Sequence, residues 1–441
     1  MSKFSEWQVK WYRMDNSADI YPMSSTATTM SIFRLSAEME NFVDGDNLET
    51  ALKDILPRFP TFAVQLRKGF FRYYFDQNEL PPRAFPDNGI LFQKIDFLKN
   101  NRYLFRVQYY KKRISVDFFH GLCDASGAME FLKSLVYRYL DECGEELPPK
   151  GNIKVVGEPV KASETEDSIS KYYTQYNILG GVVGKMAGKN CFGIRAKRFR
   201  TLGYGLIHGY LSAEKLHAVA KEHNCTVTAL IAASALLSIK KAFFKNNESG
   251  QDIVAMIPVN LRKIFPSETL TNFTTLTKCS VNPAVTPDEL DRYIDICKRQ
   301  LAESLSDKTE LAEKLSLSAF YSTNPLMKIL PVSLKTFFTK FGKAVSRKTK
   351  QTLIISNLGV VRLPEGMEEF VNRFTFNINI SKKVPVNIGV VTYNGITAIS
   401  FTRMIVSTDF EKTFFKMLTE LGLEVEISSN LREIPSQQTR L

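Results

Sequence analysis

A histidine and an aspartate four positions apart, His120 and Asp124, stand in the run VDFFHGLCDASG (residues 116–127). An imidazole titrates near neutrality, so it can take a proton from a hydroxyl or amine and return it to a leaving group. Asp124 directly precedes a helical pattern. A carboxylate there can cap the helix, or bond a distant arginine and so fix the loop that aims the histidine. Local chemistry permits catalysis here without demanding it. Histidines at strand ends and aspartates before helices are commonly structural, and a bare His-x-x-x-Asp spacing recurs by chance. Cys123, between the two, reads as loop packing.

The elements that must hold these residues follow from periodicity. YLFRVQYY (103–110) and ISVDFF (114–119), separated by KKR, predict a hairpin with Ile114, Val116 and Phe118 on the face of His120. Ala128, Phe131, Leu132, Leu135, Val136 and Tyr139 fall at helical spacing, so a helix packs back on that sheet. LETALKDIL (48–56) predicts another helix, broken by PRFPTF. Residues 145–170 are polar and Pro-bearing, and mark a linker. Residues 209–244 then read as strand, a helix capped by Ser212, a turn and a more buried helix. VAMIPVNLR (254–262) and FTFNINI (374–380) predict strands. NIGVVTYNGITAISF predicts a hairpin turning at Asn394–Gly395, and DFEKTFFKMLTELGL an amphipathic helix. The result is an α/β (α+β) chain in three spans: 1–150, a basic crossover 151–205, and 206–441.

Hydrophobic residues make up 44% of the 441 and charged residues 24%, and the 32 phenylalanines supply a substantial core, which excludes a disordered chain. The six cysteines show no paired spacing and read as reduced thiols. The N-terminus has no apolar stretch of signal-peptide length, and the longest apolar run (226–239) is short and carries Thr and Ser. A cytoplasmic address is expected. The net charge of +12 is local: residues 168–213 hold seven Lys or Arg and no acid, residues 321–350 seven more and no acid, and without these fourteen 44 basic residues face 46 acidic ones. Such patches attract phosphates, nucleic acid or an anionic membrane, or are plain solvated stretches. No CxxC or HExxH spacing is present, and His217 and His223 face different ways on their predicted helix, so no metal site is expected. GGVVGKMAGK (180–189) misses the spacing of a phosphate loop, and His208, beside GYG (203–205), has no evident catalytic partner.

The order strand, HGLCDASG, amphipathic helix, long crossover, PVNLR (258–262) and ISNLG (355–359) resembles the two-domain acyltransferases related to chloramphenicol acetyltransferase. The late hairpin resembles that of the alcohol O-acetyltransferase and wax ester synthase branches. The resemblance implies two subdomains, each a mixed sheet with helices, and an active-site tunnel between them. It makes His120 the general base and Asp124 a structural aspartate paired with Arg262. Gly121 and Gly127 belong to the loop, and Ser356 and Asn357 are donors toward the oxyanion or the thioester. It implies acetyl-CoA or another acyl-CoA as co-substrate, no permanently bound cofactor or metal, a hydroxyl or amine acceptor, and a monomer.

Two departures qualify this. Phe119 stands where condensation domains carry a second histidine, which argues against peptide condensation. Ala125 and Ser126 intervene before Gly127, where many relatives place glycine directly after the aspartate. The leading expectation is O-acylation of an alcohol, hydroxylated lipid or glycan. The alternatives are N-acylation or condensation from a carrier-protein thioester, and a non-catalytic basic binding protein on the same fold. The basic patches then serve coenzyme A phosphates, and nucleic acid is not the expected partner. Residues 328–350 mix Leu and Phe with lysines and suit either a peripheral membrane contact or an ordinary surface helix.

Overall fold

The computed structural model describes residues 11–15, 18–26, 30–172, 190–199, 204–244, 250–308, 311–312, 315, 324–345 and 350–430. The 180–189 glycine-rich run, Gly203, and Lys185, Lys189, Arg200, Arg347 and Lys348 of the basic stretches lie outside them.

The predicted hairpin forms from Phe105–Tyr110 and Arg113–Phe119, antiparallel, with Phe105 opposite Phe118. Both faces of the second strand are covered, so its interior is buried throughout rather than alternating. Asp117 tolerates this because Arg34 Nε and Arg106 Nη2 each donate to its carboxylate at 2.7 Å. Ionised, it is worth more there than alone, and the Arg34 charge holds its pKa below the carboxylate range despite burial. The predicted packing helix runs Ala125–Glu142 and begins as soon as Asp124 can cap it.

These elements sit in a five-stranded mixed sheet ordered Val371–Ile378, Ile32–Met39, Arg113–Phe119, Phe105–Tyr110 and Ala84–Pro86. Its first strand comes from late in the chain and pairs antiparallel with Ile32–Met39. The span 206–441 therefore lends a strand to the first sheet and is not self-contained. The first core accordingly collects Phe374, Phe376, Val391 and Tyr393 together with Phe62, Phe118 and Phe131.

The second sheet has seven strands, ordered Thr274–Val281, Ile253–Asn260, Leu353–Val360, Val386–Tyr393, Ile396–Arg403, Gly205–Ser212 and Glu426–Ser429. Leu353–Val360 is parallel to both neighbours and the other pairs are antiparallel. Asn394 and Gly395 turn the predicted hairpin with φ of 45° and 71°, the left-handed pair that a two-residue connection of right-twisted strands requires. Ser212 caps Ala213–Glu222 by accepting from the Lys215 amide, as expected, and the Val227–Phe243 helix behind it is buried in the second core. Among the described residues no single helix is long and apolar enough to cross a membrane.

The two sheets meet where Val371–Ile378 crosses Val386–Tyr393. A Cβ at Gly389 would overlap the Phe376 carbonyl oxygen, so only glycine allows this approach. The polar linker is tied down as it passes: Arg58 makes a bidentate, buried ion pair with Glu164 (2.6 and 3.0 Å), and the Glu164 carbonyl accepts from the Leu270 amide.

Candidate active site

His120 leaves the strand end with its amide still donating to the Ser31 carbonyl at 2.8 Å, which anchors its backbone to the sheet. Its half-buried ring is held on two sides by aromatic faces. Tyr21 stacks on it at 4.5 Å, and Phe33 meets it edge-on at 5.3 Å. The in-plane direction is fixed by Asn272, whose Oδ1 lies 3.2 Å from His120 Nδ1.

A second bond decides the proton's place. Asn272 Nδ2 donates to Asp15 Oδ2 at 3.0 Å. A carboxylate accepts and an amide nitrogen donates, so the Asn272 oxygen is the atom turned to the imidazole. His120 Nδ1 then carries the hydrogen, and Nε2 keeps its lone pair. Burial is the largest influence on the ring and pushes its pKa below 6.5, while its own carbonyl, the Asp124 charge and Asn272 pull the other way. The resting imidazole is neutral and basic at Nε2.

Asp124 performs both tasks foreseen for it. Oδ1 accepts from the Ser126 and Gly127 amides (3.1 and 3.0 Å), capping the helix. Oδ2 accepts from Arg262 Nη1 and from the Phe273 amide, each at 2.8 Å. Arg262 also donates to the Thr269 and Thr271 carbonyls (2.9 and 2.7 Å). Asn260, from the same PVNLR segment, donates to Ser126 Oγ at 2.9 Å. The histidine loop and the 260–273 segment are thereby clamped across the two halves.

Gly127 makes the clamp possible, because a Cβ there would overlap the Leu270 carbonyl oxygen. The close approach needs glycine three residues after the aspartate, which accounts for its displaced position in this loop. Gly121 is likewise confined, since a Cβ would run into the Phe119 ring. Cys123 is fully buried, and burial pushes its thiol well up, so it packs as a neutral side chain.

Ser356 and Asn357 are not bonded to His120. They lie on Leu353–Val360, where successive side chains point to opposite faces. Asn357 shares the face of Ile355. Its Nδ2 donates to Thr228 Oγ1 at 3.1 Å and its Oδ1 accepts from the Gly359 amide at 2.9 Å, so it orients strand and helix. Ser356 is on the other face, with Leu358, which packs against the first core. Ser356 pairs in register with Gly389, the point where Phe376 presses in. The Phe376 ring meets Phe33 edge-on at 6.2 Å, and Phe33 meets His120. The serine thus lies beside the point where the two sheets approach each other.

A cavity of about 850 Å³ lies beside this arrangement, walled by Met30, Leu66, Tyr73, Phe92, Phe119 and Tyr204, with Lys94 and Lys340. His120 does not line it. The Tyr21 ring stacks on His120 and meets Phe119, a residue of the cavity wall, edge-on.

Asp15, Tyr21, Phe33, Asn260 and Asn272 were not foreseen from sequence. The bonds linking Asn272 to His120 and to Asp15 span 152 and 257 residues. No local spacing encodes them, although a lone asparagine among threonines (TLTNFTT, 269–275) is a polar signal where burial follows.

Two sheets meeting around a histidine loop make a mixed α/β fold of the chloramphenicol acetyltransferase-like type, a likeness of fold shared with solved acetyltransferases and condensation domains. Within it, residues 211–421 match the alcohol acetyltransferase family. Solved structures similar to the chain include F. graminearum TRI101 complexed with coenzyme A and deoxynivalenol. It is 10% identical, with a TM-score of 0.63 over 94% of this chain and 99% of that one. The TRI3 trichothecene 15-O-acetyltransferase from Fusarium sporotrichioides is 11% identical, with a TM-score of 0.58 over 93% and 94%. Polyketide synthase associated protein 5 from Mycobacterium tuberculosis is 15% identical, with a TM-score of 0.59 over 92% and 96%. At these identities the likeness is one of fold. No curated protein sequence matches the chain.

Proposed function

We propose that the protein is a coenzyme A-dependent O-acyltransferase that moves an acyl group, acetyl in the first instance, onto a hydroxyl acceptor by direct transfer. The observation that carries this reading is the fixed tautomer: Asp15 sets Asn272, Asn272 sets Nδ1–H, and Nε2 of His120 is left as a general base. The alcohol acetyltransferase match of residues 211–421 supports the reaction class. The description of TRI3 as an O-acetyltransferase and the coenzyme A bound in TRI101 support acceptor and donor.

In this mechanism His120 Nε2 removes the acceptor's hydroxyl proton as the oxygen attacks the thioester carbonyl. The Ser356 hydroxyl donates to the resulting oxyanion. The intermediate collapses with cleavage of the C–S bond, and the imidazolium returns its proton to the departing thiolate. The base contributes about 10² to 10⁴ in rate and a single oxyanion donor about 10² to 10³. Holding both substrates together supplies the larger part of the remainder. Basic side chains around the crossover attract the phosphates of coenzyme A. The reading includes a cytoplasmic monomer with a complete site in one chain.

The test is release of free thiol from acetyl-CoA against a panel of alcohols and amines, for the native chain and His120→Ala. Acceptor-dependent release that collapses in the variant is the expected result. Equal activity in both chains refutes His120 as the base. Silence with every acceptor, with longer acyl chains and with carrier-bound donors rejects the enzyme reading.

A further inference from the structure

The helix Val332–Val345 is amphipathic in the reverse of the usual sense. Leu334, Phe337, Phe338 and Phe341 follow the i, i+3, i+4, i+7 spacing that on a globular protein turns to the core. Here all four face solvent, between 41% and 59% exposed. The opposite face, packed on the protein, carries Val332 and Lys335, both buried, with Thr336 and Thr339 half-buried. Lys335 is satisfied there by donating to the Phe71 carbonyl at 2.8 Å, and the Val332 amide donates to the Phe70 carbonyl at 2.8 Å.

Those two bonds bring up the turn between Val64–Lys68 and Tyr73–Gln77, where Phe70 and Phe71 are themselves exposed. Exposed Ile329 precedes the helix. Seven large apolar side chains therefore gather on one surface, a concentration that marks an interaction site. The acids of the adjoining elements are already engaged: Asp19 is buried facing Lys335 and Arg72, and Asp76 is paired with Arg67 at 3.1 Å, which leaves the exposed lysines to set the charge of the surface. Lys68, Lys328 and Lys340 are exposed, and residues 321–350 contain seven basic side chains and no acid.

We propose that this surface docks on an anionic lipid bilayer, with the phenylalanines entering the boundary between headgroups and acyl chains and the lysines meeting lipid phosphates. Charge complementarity favours that occupant over an apolar groove on another protein. So does continuity: Lys340 also lines the cavity whose walls include Met30, Phe92 and Phe119, so the surface shares an edge with an apolar chamber. The proposal rests on the surface itself and stands or falls independently of acyl transfer.

The experiment is co-sedimentation of the full chain with vesicles of phosphatidylcholine alone, or with about one third phosphatidylglycerol. The native chain sediments with the anionic vesicles, and less so at high salt. Replacing Phe337, Phe338 and Phe341 together by serine lowers that partition about tenfold or more, with the circular dichroism spectrum and urea midpoint retained because all three side chains are exposed. Lys328→Glu weakens binding to the anionic vesicles alone. The proposal is overturned if the native chain stays in the supernatant at both compositions, or if the triple variant sediments like the native chain. A concentration-dependent dimer that the triple substitution abolishes, without vesicle binding, also overturns it and assigns the surface to a second copy.

Discussion

Replacing Asp124 by asparagine separates a structural carboxylate from a chemical one. The carboxylate receives four hydrogens: two from the Ser126 and Gly127 amides on Oδ1, and two from Arg262 Nη1 and the Phe273 amide on Oδ2. An asparagine has one oxygen, so whichever way it turns, its NH2 faces two donors. The side chains of Asp124 and Arg262 are 3% and 13% exposed, so water cannot step in fully. Breaking a buried ion pair at one partner costs about 3–5 kcal/mol. Arg262 retains the Thr269 and Thr271 carbonyls and Asn260 Oδ1, which puts the loss at the low end, about 3 kcal/mol. That is a large share of the roughly 5–15 kcal/mol that holds a typical domain folded.

Urea unfolding measures the stability loss directly. Acetyl transfer, assayed at low temperature where the variant remains folded, measures what the carboxylate does beyond holding the loop. The expected outcome is reduced stability with residual activity well above that of His120→Ala, and a similar phenotype for Arg262→Gln. A variant as stable as the native chain to within about 0.5 kcal/mol would show that the clamp does not operate. A folded Asp124→Asn as inert as His120→Ala, beside an active Arg262→Gln, would move the carboxylate into the chemistry.

The pH dependence of kcat/KM is expected to show an acid limb below 6.5. The reactive form is the neutral one, present above the lowered His120 pKa and lost as pH falls through it; a limb at or above 6.5 contradicts the burial argument. Asn272→Asp sets a carboxylate against Nδ1 and moves that limb to higher pH. Asn272→Leu moves it lower, with kcat reduced about tenfold or more as tautomer control is lost. Ser356→Ala is expected to lower kcat about 10² to 10³ with KM for the donor little changed, and an unaltered kcat removes Ser356 from the reaction. His208, bonded to Ser400 and pushed down to about 4 by burial with Arg113 and Arg373 adding, stays neutral when folded while the unfolded chain protonates near 6.5. Stability therefore falls as pH drops from 6.5 toward 4, by up to about 3 kcal/mol. His208→Gln should flatten that fall in acid unfolding curves.

What could be read in advance was whatever one element encodes by itself. The hairpin ending at His120, the cap at Asp124, the helix behind it and the Asn394–Gly395 turn all rest on neighbours within a few residues, where period and side-chain chemistry act directly. The Asp124–Arg262 pair, 138 residues apart, was reachable only through the order of motifs. Ser356 and Asn357 were read as one pair, yet strand alternation sends them to opposite faces: Asn357 binds Thr228 on the helix side, and Ser356 turns to the interface. The Asn357 amide is engaged by Thr228, 129 residues away, and by the Gly359 amide, and only the second of these is legible locally.

The converse holds for Asp15, Tyr21 and Asn272. Each looks ordinary where it stands in the chain, because the property that matters is which atom it faces after the two halves close. The same closure carries a strand of the span 206–441 into the first sheet. The strand Val371–Ile378 must leave the second half to bring Phe376 against Phe33, and Phe33 is one of the walls of the histidine. A self-contained second half would leave Phe33 in place but without Phe376 against it. The exchange of the strand therefore reaches the base through one intermediary: Phe376 backs Phe33, and Phe33 is the side chain that meets the imidazole.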